Sequence, residues 1–207
     1  TARNNFAINI KNYLVTHNID GVDVDWEFPN GNAGYENFRL LIEALKSQLT
    51  PLGKTVSIAI NPDLMSNMST VFLKSADFVN VMTYDLTSQD HAPLNAYQKM
   101  EALSSKGVDK ANLTYGVPFY GRNQGGYGGI ARIYSYLYGL GKMANNVNST
   151  SVNGTTYYYN GPDRISAKTT WAKDNGYGGI MIWDINHDIA FSNSSSLLRA
   201  IANANGT

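Results

Sequence analysis

Residues 19–29, with the sequence IDGVDVDWEFP, constrain the fold more than any other part of the chain. Aliphatic or aromatic residues occupy alternate positions of this segment, which favours a β-strand with one apolar face. On the opposite face Asp23, Asp25 and Glu27 would follow one another at intervals of about 6 to 7 Å, because a strand rises about 3.3 Å per residue. Like charges this close repel, so at least one of these carboxyl groups should keep its proton near neutral pH.

This run of acidic residues admits three interpretations. A protonated carboxyl group beside an ionised one is the arrangement with which glycosidic bonds are cleaved. The same residues could instead bind calcium, or form the solvated face of an edge strand. The opposite face is apolar, no EF-hand-like continuation follows, and Pro29 ends the strand. These observations favour the catalytic interpretation, with Glu27 as its central residue.

The composition excludes several classes of function. The 16 Lys and Arg residues balance 16 Asp and Glu residues and form no basic cluster, so neither nucleic acid nor an anionic membrane is expected as a partner. The three histidines lack metal-ligand spacing, and the glycine-rich run 125–129 lacks a Lys-Ser/Thr continuation, so neither a metal site nor a nucleotide cofactor is expected. The absence of cysteine excludes disulfide bonds, and no stretch has the apolar length of a membrane span.

Strand and helix patterns alternate along the chain. Continuously apolar or alternating runs predict strands at residues 22–26, 55–60, 78–84, 113–119 and 177–183. Apolar residues at helical spacing predict helices at residues 6–14, 35–49, 71–76, 96–106, 165–175 and 194–203. Such alternation indicates βαβ units with a parallel sheet, and therefore an α/β fold that forms one large domain or most of one.

Several motifs follow the acidic run, which itself reads D-x-x-D-x-D-W-E before an aromatic residue and Pro. They are Met82-Thr83-Tyr84-Asp85, His91-Ala92-Pro93-Leu94, Gly116-Val117-Pro118-Phe119-Tyr120-Gly121-Arg122 and Gly178-Gly179-Ile180-Met181-Ile182-Trp183-Asp184. In this order they resemble glycoside hydrolase family 18, the chitinases and their relatives. The resemblance implies a TIM (β/α)8 barrel of chitinase type, whose active site would lie at the carboxyl ends of the strands.

The resemblance also implies a reaction, the retaining hydrolysis of β-1,4-linked N-acetylglucosamine in chitin or chito-oligosaccharides. Glu27 would act as general acid and then as base, while the substrate's own 2-acetamido oxygen would be the nucleophile that forms an oxazolinium intermediate. Asp25 would orient the acetamido group, Asp23 would share protons and charge with Asp25, and the Tyr84 hydroxyl would bond the acetamido oxygen. The implied substrate-binding residues are Trp183, as the apolar floor beneath the sugar, with Asp85, Met82, Tyr120 and Arg122.

The resemblance covers only part of a barrel. The five predicted strands correspond to the family's fourth to eighth strands, so we expect an incomplete barrel that pairs with its missing first part or with a second chain. Residues 123–160, rich in Gly, Tyr, Asn and Ser, interrupt the alternation. A reduced insertion or a long loop, and with it an open cleft, is expected there. Residues 1–5 lack the features of a signal peptide, which leaves a cytoplasmic location or a missing leader open, and the resemblance favours secretion.

Other functions with the same sequence pattern stay open. An endo-β-N-acetylglucosaminidase that acts on N-glycans and a peptidoglycan hydrolase would share the acidic strand, and Trp26 favours the chitinase among them. A chitinase-like lectin is the non-enzymatic alternative, against which the intact acidic residues argue. The loop between Asp85 and His91 is shorter than the family pattern and lacks its Gly and Trp. A contact on the leaving-group side is therefore expected to differ.

Overall fold

The computed structural model describes residues 2–141 and 146–206. These residues contain nine strands, numbered in chain order: β1 Gly21–Asp25, β2 Thr55–Ile60, β3 Phe78–Val81, β4 Leu113–Pro118, β5 Tyr120–Arg122, β6 Ala131–Ile133, β7 Ser149–Val152, β8 Thr155–Tyr158 and β9 Gly179–Trp183. They also contain seven α-helices: α1 Ala2–Thr16, α2 Gly31–Leu49, α3 Thr70–Leu73, α4 Tyr97–Ser105, α5 Tyr134–Gly139, α6 Pro162–Asp174 and α7 Leu197–Asn205. None of the helices in these two ranges has both the length and the apolar character that crossing a bilayer requires.

β1, β2, β3, β4 and β9 form one parallel sheet in that order. A helix lies between each pair of neighbouring strands along the chain, so the carboxyl ends of all five strands meet at one edge of the sheet. The predicted α/β fold with a parallel sheet is confirmed. Among the residues that the structure describes, the sheet is open and has β1 and β9 at its edges. These five strands therefore do not themselves close the predicted barrel.

Three of the parallel strands end earlier than their sequences predict: β4 ends at Pro118, one residue early, and β1 and β3 also stop short. β1 ends at Asp25, so Glu27 lies two residues beyond the strand, in a bend. β3 ends at Val81 because the chain turns there: Thr83 N donates a hydrogen bond to Val81 O at 2.8 Å. Asp85 then has a positive φ of 53°, an unusual conformation for a residue with a side chain. The residues that follow each strand therefore leave the plane of the sheet and project from its edge.

The main core lies between one face of the parallel sheet and the helices. α2 illustrates how the sequence builds it, because five of its apolar residues recur at helical spacing and are at most 4 % exposed: Tyr35, Phe38, Ile42, Leu45 and Leu49. They belong to the same cluster as Val56 and Ile58 of β2. Burying one side chain of this size contributes about 1.5–3 kcal/mol, so α2 holds β1 and β2 firmly in place.

A second, antiparallel sheet follows β4 along the chain. Its strand order is β6-β5-β8-β7. It shares a core with α5 and the end of β4, formed by Val117, Phe119, Tyr134, Leu137, Tyr157 and Tyr159. Residues 123–160, where a reduced insertion or a long loop is expected, thus carry β6, α5, β7 and β8. Residues 142–145 of this segment lie outside the described residues.

Candidate active site

The carboxyl ends of the parallel strands open into a cleft with a volume of about 250 Å³. Its lining residues end or follow β1, β3 and β9, or belong to β5, β6 and the loop between them. The lining consists of Asp25, Glu27, Met82, Tyr84, Asp85, Tyr120, Arg122, Tyr127, Ala131, Ile133, Trp183 and His187. The fold thus brings together every predicted site residue except Asp23, although these residues are far apart in the sequence.

Asp25 and Glu27 stand at the end of the edge strand β1. Asp25 is exposed to the cleft, but partial burial of its carboxyl group raises its pKa, and the nearby charge of Asp23 raises it further. Burial also raises the pKa of Glu27, with further contributions from the charges of Asp25 and Asp85. A carboxyl group that donates a proton near neutral pH requires a shift in this direction.

Asp23 lies on the polar face of the sheet and does not line the cleft. Its Oδ1 accepts hydrogen bonds from Ser57 Oγ at 2.5 Å and from Asn80 Nδ2 at 2.8 Å. Asn80 Oδ1 in turn accepts a bond from Thr114 Oγ1 at 2.6 Å, so the network crosses four strands. The charge of Asp23 in turn raises the pKa of Asp25.

The Tyr84 side chain is buried, with 5 % of its surface exposed. Its ring packs edge-on against Tyr120 with 6.2 Å between the ring centroids, and its hydroxyl lies 3.7 Å from the Met181 sulfur. Burial raises the pKa of Tyr84 well above its ordinary value, and the charges of Asp25 and Asp85 add to this effect. The hydroxyl therefore stays protonated at physiological pH and can donate a hydrogen bond.

Asp85 is the centre of a buried ionic cluster. Arg122 donates two hydrogen bonds to it, from Nε to Oδ1 at 2.5 Å and from Nη2 to Oδ2 at 2.8 Å. The fully buried His91 places its Nδ1 3.0 Å from the same Oδ1. Burial alone would raise the pKa of Asp85, but the hydrogen bonds with His91 and Arg122 outweigh it and hold the pKa below its usual range. Asp85 is therefore an anion, and its charge contributes to the raised pKa of Glu27.

Trp183 offers a flat apolar surface at the opposite edge of the sheet from β1. It is the last residue of β9, and 51 % of its surface is exposed. Because a pyranose ring presents C–H groups on its faces, an exposed indole is a suitable contact for one of them. Met82 and Tyr120, which also line the cleft, are at most 5 % exposed, so they shape its wall and leave little surface for a ligand.

The sequence patterns do not predict the contributions of Tyr127, His187 and β6. Tyr127 packs edge-on against Phe28 with 5.6 Å between the ring centroids. His187 follows β9 in a short 3₁₀ helix, and Ala131 and Ile133 extend the lining on the side of the antiparallel sheet. For Tyr127 a signal was available, since an aromatic residue among four glycines is typical of a tight loop that presents its side chain.

The cleft is lined by aliphatic side chains and by side chains with carboxyl, phenol, guanidinium, imidazole and indole groups. Within residues 2–141 and 146–206, no three side chains of His, Asp or Glu are grouped as the ligands of a metal ion would be.

Known chitinases are similar to this chain in sequence and structure. Chitinase 1 of Aphanocladium album is 23% identical over 234 residues, which cover 88% of this chain and 55% of that protein. The matched regions cover 36% to 60% of the length of eight such curated relatives, so the chain spans only part of them. The crystal structure of the GH18 chitinase ChiB, from the chitin utilization locus of Flavobacterium johnsoniae, superposes with a TM-score of 0.79 at 29% identity and covers 96% of this chain and 64% of its own.

An agglutinin has the same fold. The chitinase-like agglutinin of Robinia pseudoacacia superposes with a TM-score of 0.76 at 24% identity, over 93% of this chain and 70% of its own. The sequence model of the family Glycosyl hydrolases family 18 also matches this chain, over residues 1–188 of its 207. The chain therefore belongs to glycosyl hydrolase family 18.

Proposed function

We propose that the cleft hydrolyses β-1,4 linkages between N-acetylglucosamine units, in chitin or chito-oligosaccharides, with retention at the anomeric carbon. The observation that carries this proposal is the presence in one cleft of two carboxyl groups with raised pKa values, a protonated tyrosine hydroxyl and an exposed indole. The chitinases among its relatives support the choice of substrate.

Glu27 would begin the reaction by giving its proton to the glycosidic oxygen. The bond between that oxygen and the anomeric carbon breaks as the 2-acetamido oxygen of the same sugar forms a new bond to the carbon, and the leaving sugar departs as an alcohol. Water then attacks the anomeric carbon of the oxazolinium while the bond between that carbon and the acetamido oxygen breaks and the acetamido group is restored, and the Glu27 carboxylate takes the water's proton. The raised pKa of Glu27 suits both steps, because the same group must first donate and then accept a proton.

Asp25 and Tyr84 would hold the acetamido group for its attack. Asp25 would bond the acetamido N–H and stabilise the positive charge of the oxazolinium, and the negative charge of Asp23 would support it. The protonated hydroxyl of Tyr84 would donate a hydrogen bond to the acetamido oxygen and keep it near the anomeric carbon. Trp183 would support the apolar face of this sugar, and Arg122 would keep Asp85 in place.

We also propose that the parallel sheet belongs to a (β/α)8 barrel. Support comes from β1 and β9, which are unpaired edges among the described strands, and from the polar face that carries Asp23. Unpaired edges invite association, so we expect the chain to pair with the remaining part of a barrel or with a second chain. Because chitin is an insoluble polymer, we further propose that the protein acts outside the cell.

A sugar-binding protein without turnover is the second candidate, and the agglutinin of the same fold is the observation in its favour. An endo-β-N-acetylglucosaminidase on N-glycans is a third. Incubation with N-acetylated chitotetraose and, separately, with a high-mannose glycopeptide distinguishes the three, with products identified by mass spectrometry. Cleavage of the tetraose alone is the expected result. Cleavage of the glycopeptide alone, or binding of the tetraose without cleavage, would contradict the proposal.

A further inference from the structure

The loop between β5 and β6, residues 123–130, is closed at its base by hydrogen bonds. Asn123 N donates to Ile130 O at 3.3 Å, and Ile130 N donates to the side-chain Oδ1 of Asn123 at 2.7 Å. Arg122 Nη1 also donates to Gly129 O at 2.7 Å, so a residue of the cleft fixes the loop. The tip of this loop is therefore held in a defined position.

The same loop packs on the loop that follows β3. Gly126 N donates a hydrogen bond to Leu86 O at 2.9 Å. Gly125 lies so close to the carbonyl oxygens of Leu86 and Ser88 that a Cβ atom at this position would overlap them. Gly126 has a φ of +70°, a conformation that favours glycine. These two glycines allow the close approach and the turn, and Tyr127 follows them directly.

The Tyr127 ring reaches the β1 side of the cleft. It packs edge-on against Phe28, with 5.6 Å between the centroids and 64° between the ring planes. Arg122 Cζ lies 6.0 Å from the centroid of the Tyr127 ring. Half of the Tyr127 surface is still exposed. Phe28 comes directly after Glu27, the proposed general acid, and Tyr127 and Glu27 line the same cleft.

The Tyr127 hydroxyl lies near the carboxylates of the cleft. Burial raises the pKa of Tyr127 to about 12, and the charges of Glu27 and Asp85 contribute to the shift. The Asn61 side chain forms a hydrogen bond with this hydroxyl, which opposes the shift. The hydroxyl is neutral at physiological pH and can also bond a sugar oxygen beside Asn61. An exposed ring edge with such a hydroxyl can contact both the apolar and the polar surfaces of a pyranose.

The position of Tyr127 assigns it to one side of the bond that is cleaved. In the proposed mechanism Glu27 protonates the oxygen of the leaving sugar, so the space beside Glu27 belongs to that sugar. Trp183, at the other edge of the sheet, belongs to the sugar whose anomeric carbon reacts. We propose that Tyr127 contacts the leaving sugar and determines how efficiently substrates that carry one are used. This inference rests on the proposed glycosidase function.

This role can be tested with two substrates from which the same sugar unit is transferred but whose leaving groups differ. Chitobiosyl fluoride and N-acetylated chitotetraose, when cut at its central bond, both transfer a chitobiosyl unit, but only the tetraose has a leaving sugar. The kcat/KM for each substrate is measured for the unaltered chain and for Tyr127→Ala and Tyr127→Phe. Tyr136→Ala is the matched control, because Tyr136 is an exposed tyrosine of α5 that does not line the cleft.

Tyr127→Ala should lower kcat/KM for the tetraose about tenfold, the effect of losing one good aromatic contact, and should change the value for the fluoride less than about twofold. Tyr127→Phe should lose less than Tyr127→Ala, since the ring remains. If Tyr127→Ala does not fold, as judged by circular dichroism, Tyr127→Leu serves in the same comparison.

An equal loss with both substrates, no loss with either, or a similar loss in Tyr136→Ala would overturn the role of Tyr127 and leave the glycosidase proposal standing. Absence of turnover of both substrates by the unaltered chain would instead overturn the glycosidase proposal, and the role of Tyr127 with it.

Discussion

Replacing Arg122 with Met should destabilise the protein strongly, because it would remove the main partner of a buried anion. Asp85 is 5 % exposed, and Arg122 supplies two of its hydrogen bonds. Met retains most of the length and apolar surface of the Arg side chain. The change therefore removes mainly the positive charge and the hydrogen bonds, and leaves the packing around them largely intact.

The size of the effect follows from the surroundings of Asp85. Removing one partner of a buried ion pair costs about 3–5 kcal/mol. Two features reduce this cost: His91 Nδ1 remains 3.0 Å from Asp85 Oδ1, and the Arg122 side chain is 14% exposed, so water can approach. We therefore expect Arg122→Met to lower the free energy of unfolding by about 3 kcal/mol at pH 7, the lower end of that range.

Urea unfolding followed by tryptophan fluorescence measures this loss. Arg39→Met is the matched control, because Arg39 on α2 also pairs with two carboxylates, Glu36 and Glu43, whose side chains are 54% and 52% exposed. Solvent screens exposed pairs of this kind, so this variant should lose far less stability than Arg122→Met. Adding Asp85→Asn to Arg122→Met should recover part of the stability, because it removes the unpaired charge.

The loss caused by Arg122→Met should depend on pH. The folded protein holds the pKa of Asp85 below its usual range, so the stabilising contribution of this group is present above the pKa of an unfolded Asp, about 3.9. It is lost as the pH falls through the folded pKa. The difference between the unaltered chain and Arg122→Met should therefore be largest at neutral pH and should narrow below about pH 4. A loss at pH 7 no greater than that of Arg39→Met would refute the interpretation of Asp85 as a buried, paired anion.

Three further predictions concern the cleft. Glu27→Gln should lower kcat about 10²- to 10⁴-fold and leave oligosaccharide affinity nearly unchanged, because the amide keeps the shape but cannot donate the proton; near-normal turnover would contradict the assignment. Trp183→Ala should weaken chito-oligosaccharide binding about tenfold in calorimetric titration, whereas Phe191→Ala, an exposed aromatic outside the cleft lining, should leave it unchanged. Asp25→Asn should lower kcat more than affinity, and the reverse pattern would count against its role in positioning the acetamido group.

Sequence patterns predict the parallel sheet and much of its active edge, because both depend on local features. The alternating strands and helices require crossovers, and crossovers bring all carboxyl ends to one edge of the sheet. Residues at or just after the ends of predicted strands, such as Glu27, Tyr84 and Trp183, therefore had to meet there. Their meeting in one cleft follows from topology and does not depend on the details of packing.

Features that depend on contacts between distant segments were not predictable in this way. The early end of β1 and the bend at Glu27 depend on the chain leaving the sheet after Asp25. The burial of His91 against Asp85 and the reach of Tyr127 to Phe28 depend on how separate loops pack. A sequence pattern shows which residues are apolar or small, but it does not show which loop each of them contacts.

The anomeric configuration of the first product tests the proposed retaining hydrolysis most directly. In the proposed mechanism the acetamido oxygen and then water attack opposite faces of the anomeric carbon, so two inversions restore the β configuration. Proton NMR spectra recorded within the first minutes after mixing the chain with N-acetylated chitotetraose should show the β-anomer of the new reducing end before it equilibrates with the α-anomer. Initial release of the α-anomer would mean a single direct attack by water and would contradict the mechanism proposed for this cleft.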